Sequence, residues 1–356
     1  MSVRSVLNNF NKGFLICGFG SINYSQSNFK MSVVFYILRC ILICTNLYAC
    51  FRINLLFIKV DQELSELTSL IYIGCFEIYL IGNIICYFWR VFVDNQLSMV
   101  LNKLGAIHEK LIRLKVVGPM KIKMNCYFII GIIVYVIGYI ITPLVWILFQ
   151  NQFEIDPMVS FIGITFFEFV IFNEYILLIL YIKWIVYVIN EQIPERRSCL
   201  STFRDMYLEV MECLHQINTS INGLPAIFFI AANVGDIIFT IYACILFPRA
   251  YMNDPYFIFS SIYFSMKIVK LLMLYVIGDA TENEINRVSD VLHQRSVIEK
   301  NPRIKRQIKI FLLRKLHEHY NFELYGICHI NLRQLHSLSS KAIGYLVIQI
   351  LFKLNK

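Results

Sequence analysis

Seven long apolar stretches divide this chain, and they limit what it can fold into more than any other feature. They cover residues 31–59, 67–93, 124–149, 158–189, 223–247, 257–277 and 330–352. About 20 apolar residues in a helix cross roughly 30 Å of hydrocarbon, so each stretch is long enough to span a bilayer. The sequence therefore predicts an all-α membrane protein with seven transmembrane helices.

The Lys and Arg residues between these stretches predict the orientation. Twenty-one of them lie in segments 1–30, 94–123, 190–222 and 278–321, whereas only 3 lie in the segments on the other side. Cytoplasmic loops collect Lys and Arg, so we expect a cytoplasmic N-terminus and an extracellular C-terminus. A G-protein-coupled receptor has the reverse orientation. We predict a cytoplasmic segment at 1–30 and one membrane domain at 31–356.

The composition supports a bilayer environment and argues against nucleic acid as a partner. Hydrophobic residues make up 58% of the chain, above the 45 to 50% usual in soluble globular proteins. The net charge is +9, but the basic residues lie in short loops beside apolar spans. Orientation and contact with anionic inner-leaflet lipid explain that charge.

No enzyme, metal or cofactor site is predicted from the sequence. None of the 11 cysteines lies in a predicted outside loop, and Cys40, Cys44 and Cys50 share one apolar helix without forming a CxxC pair. His317 and His319 lie in a basic inner helix, where a solvated surface role is favoured.

The predicted inside segments have a helical pattern of their own. Leucines recur at three- and four-residue spacing from Leu97 to Leu114, and a second stripe runs from Phe203 to Leu214. The stretch 158–189 would be about 48 Å long as a helix, which exceeds the bilayer. We therefore expect inner helices that extend into the cytoplasm and pack there as an anchor region.

The chain before the first span contains a short apolar patch, Phe14 to Gly20. It is too short to cross a membrane and does not resemble a cleavable signal. An interfacial or re-entrant element is one interpretation, and the sequence favours a disordered tail.

Residues 322–352 resemble the C-terminal signature of the insect gustatory receptors. The matching elements are an aromatic start at Phe322–Tyr325, Gly326, the pair Asn331–Leu332, Gly344–Tyr345 and Leu351–Phe352. Gly344 replaces the Thr of the signature, and Leu351 replaces its Gln. Looser matches lie at Leu214–Asn218, Ile221–Leu224 and Leu292–His293, so that the resemblance covers roughly the last 140 residues.

The resemblance implies a ligand-gated, non-selective cation channel in the plasma membrane of sensory neurons. Members of this family form tetramers in which each subunit contributes its seventh helix to a central pore. A small tastant would bind in a pocket that opens to the outside within each subunit. Bitter or plant secondary compounds are the default expectation for that tastant, and no G protein is expected as a partner.

The end of the seventh helix carries the predicted gate. The resemblance assigns it to Leu351 and Phe352, and Ile348 shares a helix face with Phe352. Tyr345 and Lys341 lie on the same helix, and Lys341 precedes Ile348 by seven residues. A ring of apolar side chains stops ions by dewetting, whereas a ring of lysines would repel cations. Lys341 could instead face a wide vestibule, reach lipid headgroups or pair with an acid.

Ionisable and aromatic residues within the spans are candidates for the ligand pocket. Charged side chains are costly inside a bilayer, so Glu168 and Lys267, at similar depth, could form a salt bridge or line the pocket. The aromatic candidates in the outer halves of the spans are Tyr72, Tyr139, Trp146, Phe161, Phe166, Tyr242 and Tyr263. Ordinary packing is the alternative for each of them.

Three other functions stay open at this point. An insect odorant receptor has the same orientation and pore, and a G-protein-coupled receptor or a transporter is less favoured. The glycosylation sequons at Asn23 and Asn218 both lie on predicted cytoplasmic segments, where no glycan is added. A glycan at Asn23 would therefore invert the predicted orientation.

Overall fold

The computed structural model describes most of the chain, but it leaves out much of the predicted third span. The described residues are 3–17, 20–24, 29–60, 66–114, 133, 137, 155–194, 200–246, 255–317 and 322–354. Only Ile133 and Ile137 of the predicted span 124–149 lie among them, both in helix and half-exposed. The rest of that prediction lies outside the described residues.

Helices account for almost all of the described structure. They are α1 (Val3–Ile16), α2 (Phe29–Val60), α3 (Glu66–Arg113), α4 (Ile155–Gln192), α5 (Leu200–Gln216), α6 (Gly223–Leu246), α7 (Pro255–Ile298), α8 (Pro302–His317) and α9 (Leu332–Leu354). A π-helical turn, Ile217–Ile221, joins α5 to α6. A small antiparallel hairpin, β1 (Glu323–Leu324) and β2 (Cys328–His329), precedes α9.

The predicted spans other than the third coincide with α2, α3, α4, α6, α7 and α9. Within the described residues, Glu168–Gln192 is by itself long and apolar enough to cross a bilayer. Leu200–Ile221 and Gly223–Gly235 meet the same test together, although they are bent by 60° at their junction. The prediction of a helical membrane fold is confirmed.

The helical segments beyond the predicted spans, on the side that the sequence predicts to be cytoplasmic, pack together as the leucine stripes predicted, and we call them the inner bundle. Helix α3 has 48 residues, about 72 Å at 1.5 Å per residue, and the extension of α4 ends at Gln192. Leu97, Leu104 and Leu111 of α3 are buried, as are Phe203 and Leu214 of α5. The apolar faces of α3, α4, α5, α7 and α8 meet in one continuous hydrophobic core.

One polar member of the α3 stripe, His108, is buried in this inner bundle. Its exposed fraction is 2%. Its Nδ1 lies 2.6 Å from the Tyr181 hydroxyl on α4, and its ring lies 4.9 Å from that of Trp184. Burial lowers the pKa of His108 to about 4, against a smaller opposing effect of Glu109. His108 is therefore neutral at physiological pH.

This burial predicts an acid-sensitive inner bundle. Between the ordinary histidine pKa of about 6.5 and pH 4, the unfolded chain binds a proton that the folded chain excludes. The stability contribution of His108 is complete above that range and is lost as the pH falls, by about 2 to 3 kcal/mol. We expect the melting temperature of the wild-type protein to drop between pH 7 and pH 5 by more than that of His108→Phe.

The exposed His215 provides the matched control, because His215→Phe removes a histidine that is not enclosed. Its melting temperature should depend on pH as the wild type does. If the melting temperature of His108→Phe fell between pH 7 and pH 5 by as much as that of the wild type, this role for His108 would be contradicted.

The N-terminal segment is folded, so the interpretation as a disordered tail is wrong for its described residues. Helix α1 leads into a turn at residues 20–24, and the Asn11 side chain bonds both the N–H and the carbonyl of Ser21, each at 2.7 Å. Ile22 N–H donates to Asp94 Oδ1 on α3 at 3.1 Å. The turn is thereby fastened to α3.

A buried ion pair completes this N-terminal contact. Arg39 of α2 lies 3.3 Å from Asp94 Oδ1, and both side chains are at most 5% exposed. Arg39 also donates to the Gly20 carbonyl at 2.7 Å. A Cβ at Gly20 would lie 2.3 Å from the Asn11 carbonyl oxygen, so only glycine fits this turn. Asp94 therefore joins α2, α3 and the N-terminal turn.

The junction between α5 and α6 also needs glycine. Asn222 N–H bonds the Ile217 carbonyl at 2.8 Å, which closes the π-helical turn. A Cβ at Gly223 would lie 2.1 Å from the Asn218 carbonyl oxygen and 2.8 Å from Tyr325 Cδ2. The turn and the hairpin before α9 thus approach each other across a position that has no room for a side chain.

We expect Gly223→Ala to lower the melting temperature by several degrees, because backbone must move to admit the methyl group. A cost of about 1 to 3 kcal/mol is typical of such overpacking. Gly13→Ala in α1 is the control, since a Cβ there meets nothing within 4 Å and alanine favours helix. Equal melting temperatures for the two variants would contradict the close approach at Gly223.

Candidate functional site

A buried cluster of charges joins three helices at the depth where the sequence placed the ligand pocket. Glu168 of α4 lies 3.3 Å from Lys267 Nζ and 3.0 Å from Lys270 Nζ, both on α7. The three side chains are at most 5% exposed. The Glu168–Lys267 contact suggested by the sequence is therefore present, and Lys270 is an unpredicted second partner.

Helix α6 contributes hydrogen-bonding and aromatic contacts to this cluster. The Asn233 side-chain amide donates to Glu168 Oε1 at 3.1 Å and to the Phe229 carbonyl at 2.7 Å. Lys270 Nζ lies 5.4 Å from the centroid of the Phe229 ring, within cation–π range. The cluster is thus satisfied by several partners, as buried charges require.

A cavity of about 30 Å³ borders the cluster between α3, α4 and α6, next to Glu168, Ile171 and Phe229. Pockets for drug-sized ligands measure about 300 to 1,000 Å³. This cavity is far smaller, so the described side chains around Glu168 do not by themselves enclose a site for an organic molecule. Glu168, Lys267 and Lys270 join α4 to α7 in this form of the protein.

The other predicted pocket residues are distributed as follows. Phe166 is on α4 with a 41% exposed side chain. Tyr72, Phe161, Tyr242 and Tyr263 lie on described helices, but their side chains are outside the described part, and Tyr139 and Trp146 lie outside it altogether. Their role in ligand binding stays a prediction.

The predicted gate residues lie on a face of α9 that its own subunit leaves uncovered. Tyr345, Ile348 and Leu351 are 62%, 53% and 54% exposed, and Lys341 is exposed on the same helix. The Phe352 side chain lies outside the described part. The opposite side of α9 packs inward through Leu346. Helix α9 therefore presents an apolar surface next to the exposed Lys341.

The hairpin before α9 explains two elements of the C-terminal pattern. Tyr325 and Gly326 have positive φ angles of 55° and 67°, a conformation that favours glycine. Asn331 accepts a hydrogen bond from Gln334 N–H through its side-chain oxygen at 2.9 Å. This contact caps the start of α9, a role in which asparagine is strongly preferred.

The same hairpin connects α9 to the rest of the protein. Tyr325 N–H donates to the Asn218 carbonyl in the π-helical turn at 3.3 Å, and the Asn218 side chain accepts a hydrogen bond from the Tyr175 hydroxyl at 3.0 Å. Leu332 N–H donates to Asp279 of α7 at 3.4 Å. The start of α9 is thus held by α7 and by the π-helical turn, which is itself bonded to α4.

A family model described as 7tm Chemosensory receptor matches residues 11–356. The chain belongs to this chemosensory receptor family. The match extends through the N-terminal half, where the sequence had offered only topology and length as support. No curated protein matches the receptor in sequence.

The fold of the receptor agrees with solved structures of an insect chemoreceptor. It superimposes on the insect olfactory receptor OR5 from Machilis hrabei with a TM-score of 0.72 and 10% identity, over 97% of each chain. The structure of OR5 in complex with eugenol gives a TM-score of 0.67 and 11% identity, over 98% of each chain. At this identity the likeness concerns the fold.

Several polar residues of the receptor were missed by sequence reasoning. Arg39, Arg90 and Lys270 each lie within a predicted span. Charged side chains are costly inside a bilayer, so these three residues could also have been expected to have buried partners. Arg90 of α3 forms a buried ion pair with Glu174 of α4. Glu174 lies within the predicted span 158–189.

Proposed function

We propose that the receptor is a gustatory receptor: a subunit of a ligand-gated, non-selective cation channel that detects a dissolved tastant. The observation that carries this proposal is the C-terminal signature, whose Gly326 and Asn331 have defined structural roles in the hairpin before α9. Family membership and the uncovered face of α9 support it. The channel would be a homo- or hetero-tetramer in the dendritic plasma membrane of a sensory neuron.

In this proposal, four copies of α9 surround the pore. Tyr345, Ile348, Leu351 and Phe352 would meet near the outer end, where narrow apolar rings stop ions by dewetting. The exposed apolar side chains of α9 would then be covered by neighbouring subunits and lipid. The inner bundle would hold the subunits beneath the membrane.

The ligand would bind nearer the outer surface than the charged cluster, among the aromatic candidates of the spans. The olfactory receptor OR5 from Machilis hrabei, which has this fold, has been solved in complex with eugenol. Bitter plant compounds with flat aromatic rings are therefore the first class to test on this receptor. They suit an aromatic-lined pocket.

The experiment is patch-clamp recording from cells that express the receptor, alone and with candidate partner subunits, during application of a panel of bitter compounds, sugars and volatile odorants. We expect ligand-evoked single-channel steps carried by Na⁺ and K⁺ alike, with non-volatile tastants as the active class. A response that required a G protein and carried no channel current would overturn the proposal.

An odorant receptor is the second candidate, because the solved structures that match over nearly the whole chain are olfactory. The two candidates share the pore and the orientation, so the ligand class distinguishes them. Activation by volatile compounds only would favour the odorant receptor.

The proposed orientation has a separate test at Asn23. Asn23 is exposed and its side chain donates to Asn95 at 2.5 Å, so a glycan could reach it if it faced the outside. Asn218 is only 4% exposed, so the absence of a glycan there would not distinguish the two orientations. We expect an unmodified Asn23 and a C-terminal tag that antibodies reach on intact cells, and a glycan at Asn23 would contradict this orientation.

Lys341 gives a prediction about conduction. Its side chain is exposed on α9, and four positive charges near the ion path would lower the local cation concentration. We expect Lys341→Gln to raise single-channel cation conductance by at least about twofold. Lys300→Gln, which removes an exposed lysine after α7, should leave conductance unchanged. Equal conductance in Lys341→Gln and the wild type would place Lys341 away from the ion path.

A further inference from the structure

The junction between α5 and α6 contains backbone that a helix cannot satisfy. Pro225 has no N–H, so the Ile221 carbonyl four residues earlier lacks its usual helical donor. The Trp89 indole N–H of α3 approaches this carbonyl and that of Ser220, each at 3.1 Å. Trp89 of α3 thus supplies the hydrogen-bond donor that the Ile221 carbonyl would otherwise lack.

Two neighbouring side chains at this junction are not satisfied in the same way. Asn222 is 2% exposed, and within the described residues neither its side-chain oxygen nor its nitrogen has a hydrogen-bond partner. Arg90 is 5% exposed and uses Nη2 for Glu174, whereas its Nη1 has no partner among the described residues. Leaving such groups dry would cost about 1 to 3 kcal/mol each, and more for a charged group.

Both residues line a cavity. A space of about 10 Å³ lies between α3, α4 and the start of α6, and its lining includes Trp89, Arg90, Asn222 and Pro225. It shares Cys86, Ile171 and Pro225 with the 30 Å³ cavity beside Glu168. The two cavities are therefore neighbours, with Arg90 beside the smaller one and the charged cluster beside the larger one.

The size and lining of this space select its occupant. A cavity needs about 10 to 15 Å³ of such volume to hold a water molecule, which also needs polar partners. By volume the smaller cavity admits one water and the larger about two, and Glu168 is the charged side chain in the lining of the larger one. Irregular backbone beside a membrane span is tolerated where it is buried in protein or lines a water-filled cavity. No organic ligand fits a volume this small.

We propose that this space is a structural water site, with one molecule bonded to Arg90 Nη1 and the Asn222 side chain and further water extending toward Glu168. The water would accept a hydrogen bond from the guanidinium and donate one to the Asn222 side-chain oxygen. The break between α5 and α6 would therefore be hydrated at the inner end of the predicted span 223–247. This site does not depend on the ligand or on the channel activity proposed above.

The direct test is a cryo-electron microscopy map of the full-length receptor in which water molecules bound elsewhere in the protein core are resolved. We expect a compact peak within hydrogen-bonding distance of both Arg90 Nη1 and Asn222, and at least one more beside Glu168. A map that resolves other core waters but shows no peak here would overturn the proposal. Elongated density from a lipid or detergent chain would overturn it as well.

A substitution gives an independent test, because a hydrated site and a dry site predict opposite changes in melting temperature. If the site is hydrated, Asn222→Leu removes a water ligand beside the Arg90 guanidinium, and the melting temperature falls by several degrees. If it is dry, the same change replaces an unsatisfied amide with an apolar group and raises the melting temperature. Asn283→Leu, at an exposed position on α7, is the control for the substitution itself. A melting temperature of Asn222→Leu at or above the wild type would overturn the proposal.

Discussion

Glu168→Ala is expected to be among the most destabilising single substitutions in this receptor. The carboxylate lies within 3.3 Å of Lys267 and Lys270, and all three side chains are almost completely buried. Removing it leaves two ammonium groups at membrane depth without that partner, and breaking a buried ion pair in this way costs about 3 to 5 kcal/mol. We expect a large fall in melting temperature and loss of the correctly assembled protein on size-exclusion chromatography.

The matched control is Glu191→Ala, the same change near the end of the same helix. Glu191 lies 2.6 Å from Arg287, but both side chains are more than 40% exposed. An exposed pair of this kind contributes at most about 1 kcal/mol. If Glu168→Ala and Glu191→Ala melt within a degree or two of each other, the cluster is not a stabilising contact between α4 and α7.

An apolar replacement of the whole cluster separates stability from ligand response. Exchanging buried ionic groups for apolar side chains of similar size is often neutral or stabilising. The triple variant Glu168→Leu, Lys267→Met, Lys270→Met should therefore melt well above Glu168→Ala. Normal ligand-evoked currents in that variant would assign the cluster to packing alone, and folded protein without currents would assign it to ligand detection.

Asp94→Ala is expected to have a comparable effect in the middle of α3, just beyond the predicted span 67–93. The substitution leaves Arg39 buried without its 3.3 Å partner and removes the acceptor of the Ile22 N–H. The expected loss is again about 3 to 5 kcal/mol. We also expect the N-terminal turn to detach, so that limited trypsin digestion at Arg4 or Lys12 proceeds faster than in the wild type.

Asp205→Ala is the control for this second prediction. Asp205 pairs with the adjacent Arg204 at 2.8 Å on α5 and is 58% exposed, so its loss should change the melting temperature little. Unchanged trypsin cleavage in Asp94→Ala would show that other contacts suffice to hold the N-terminal turn.

The periodic parts of this fold could be predicted from the sequence because their signal is local. The stripe from Leu97 to Leu111 and the stripe from Phe203 to Leu214 are both buried, as spacing of three and four residues requires. The excess length of the fourth span likewise predicted that α4 continues past the bilayer. Each of these inferences uses residues within one helix.

The polar contacts could not be predicted in the same way because their partners are far apart in the sequence. Asp94 bonds Ile22 across 72 residues and Arg39 across 55, and nothing in either segment specifies the other. The N-terminal segment therefore looked like a tail. The π-helical turn was missed for a related reason, since its carbonyls are satisfied by Trp89 on another helix.

The structure explains two of the positions that carry the C-terminal resemblance. Gly326 lies in a left-handed turn and Asn331 caps α9, so these two positions are explained by backbone geometry. The departures at Gly344 and Leu351 lie on the helix itself, where a Cβ at Gly344 would meet nothing within 4 Å. Contacts within the subunit therefore do not require glycine at position 344.

Pro225 has a mechanical consequence for any movement of the receptor. Placed in the first turn of α6, it fits the present structure, but in a helix running unbroken from α5 into α6 it would cost about 3 kcal/mol. That cost opposes any movement that would straighten the 60° bend between the two segments into one continuous helix. We therefore expect a movement of α5 relative to α6 to keep two separate helices and to change the angle between them.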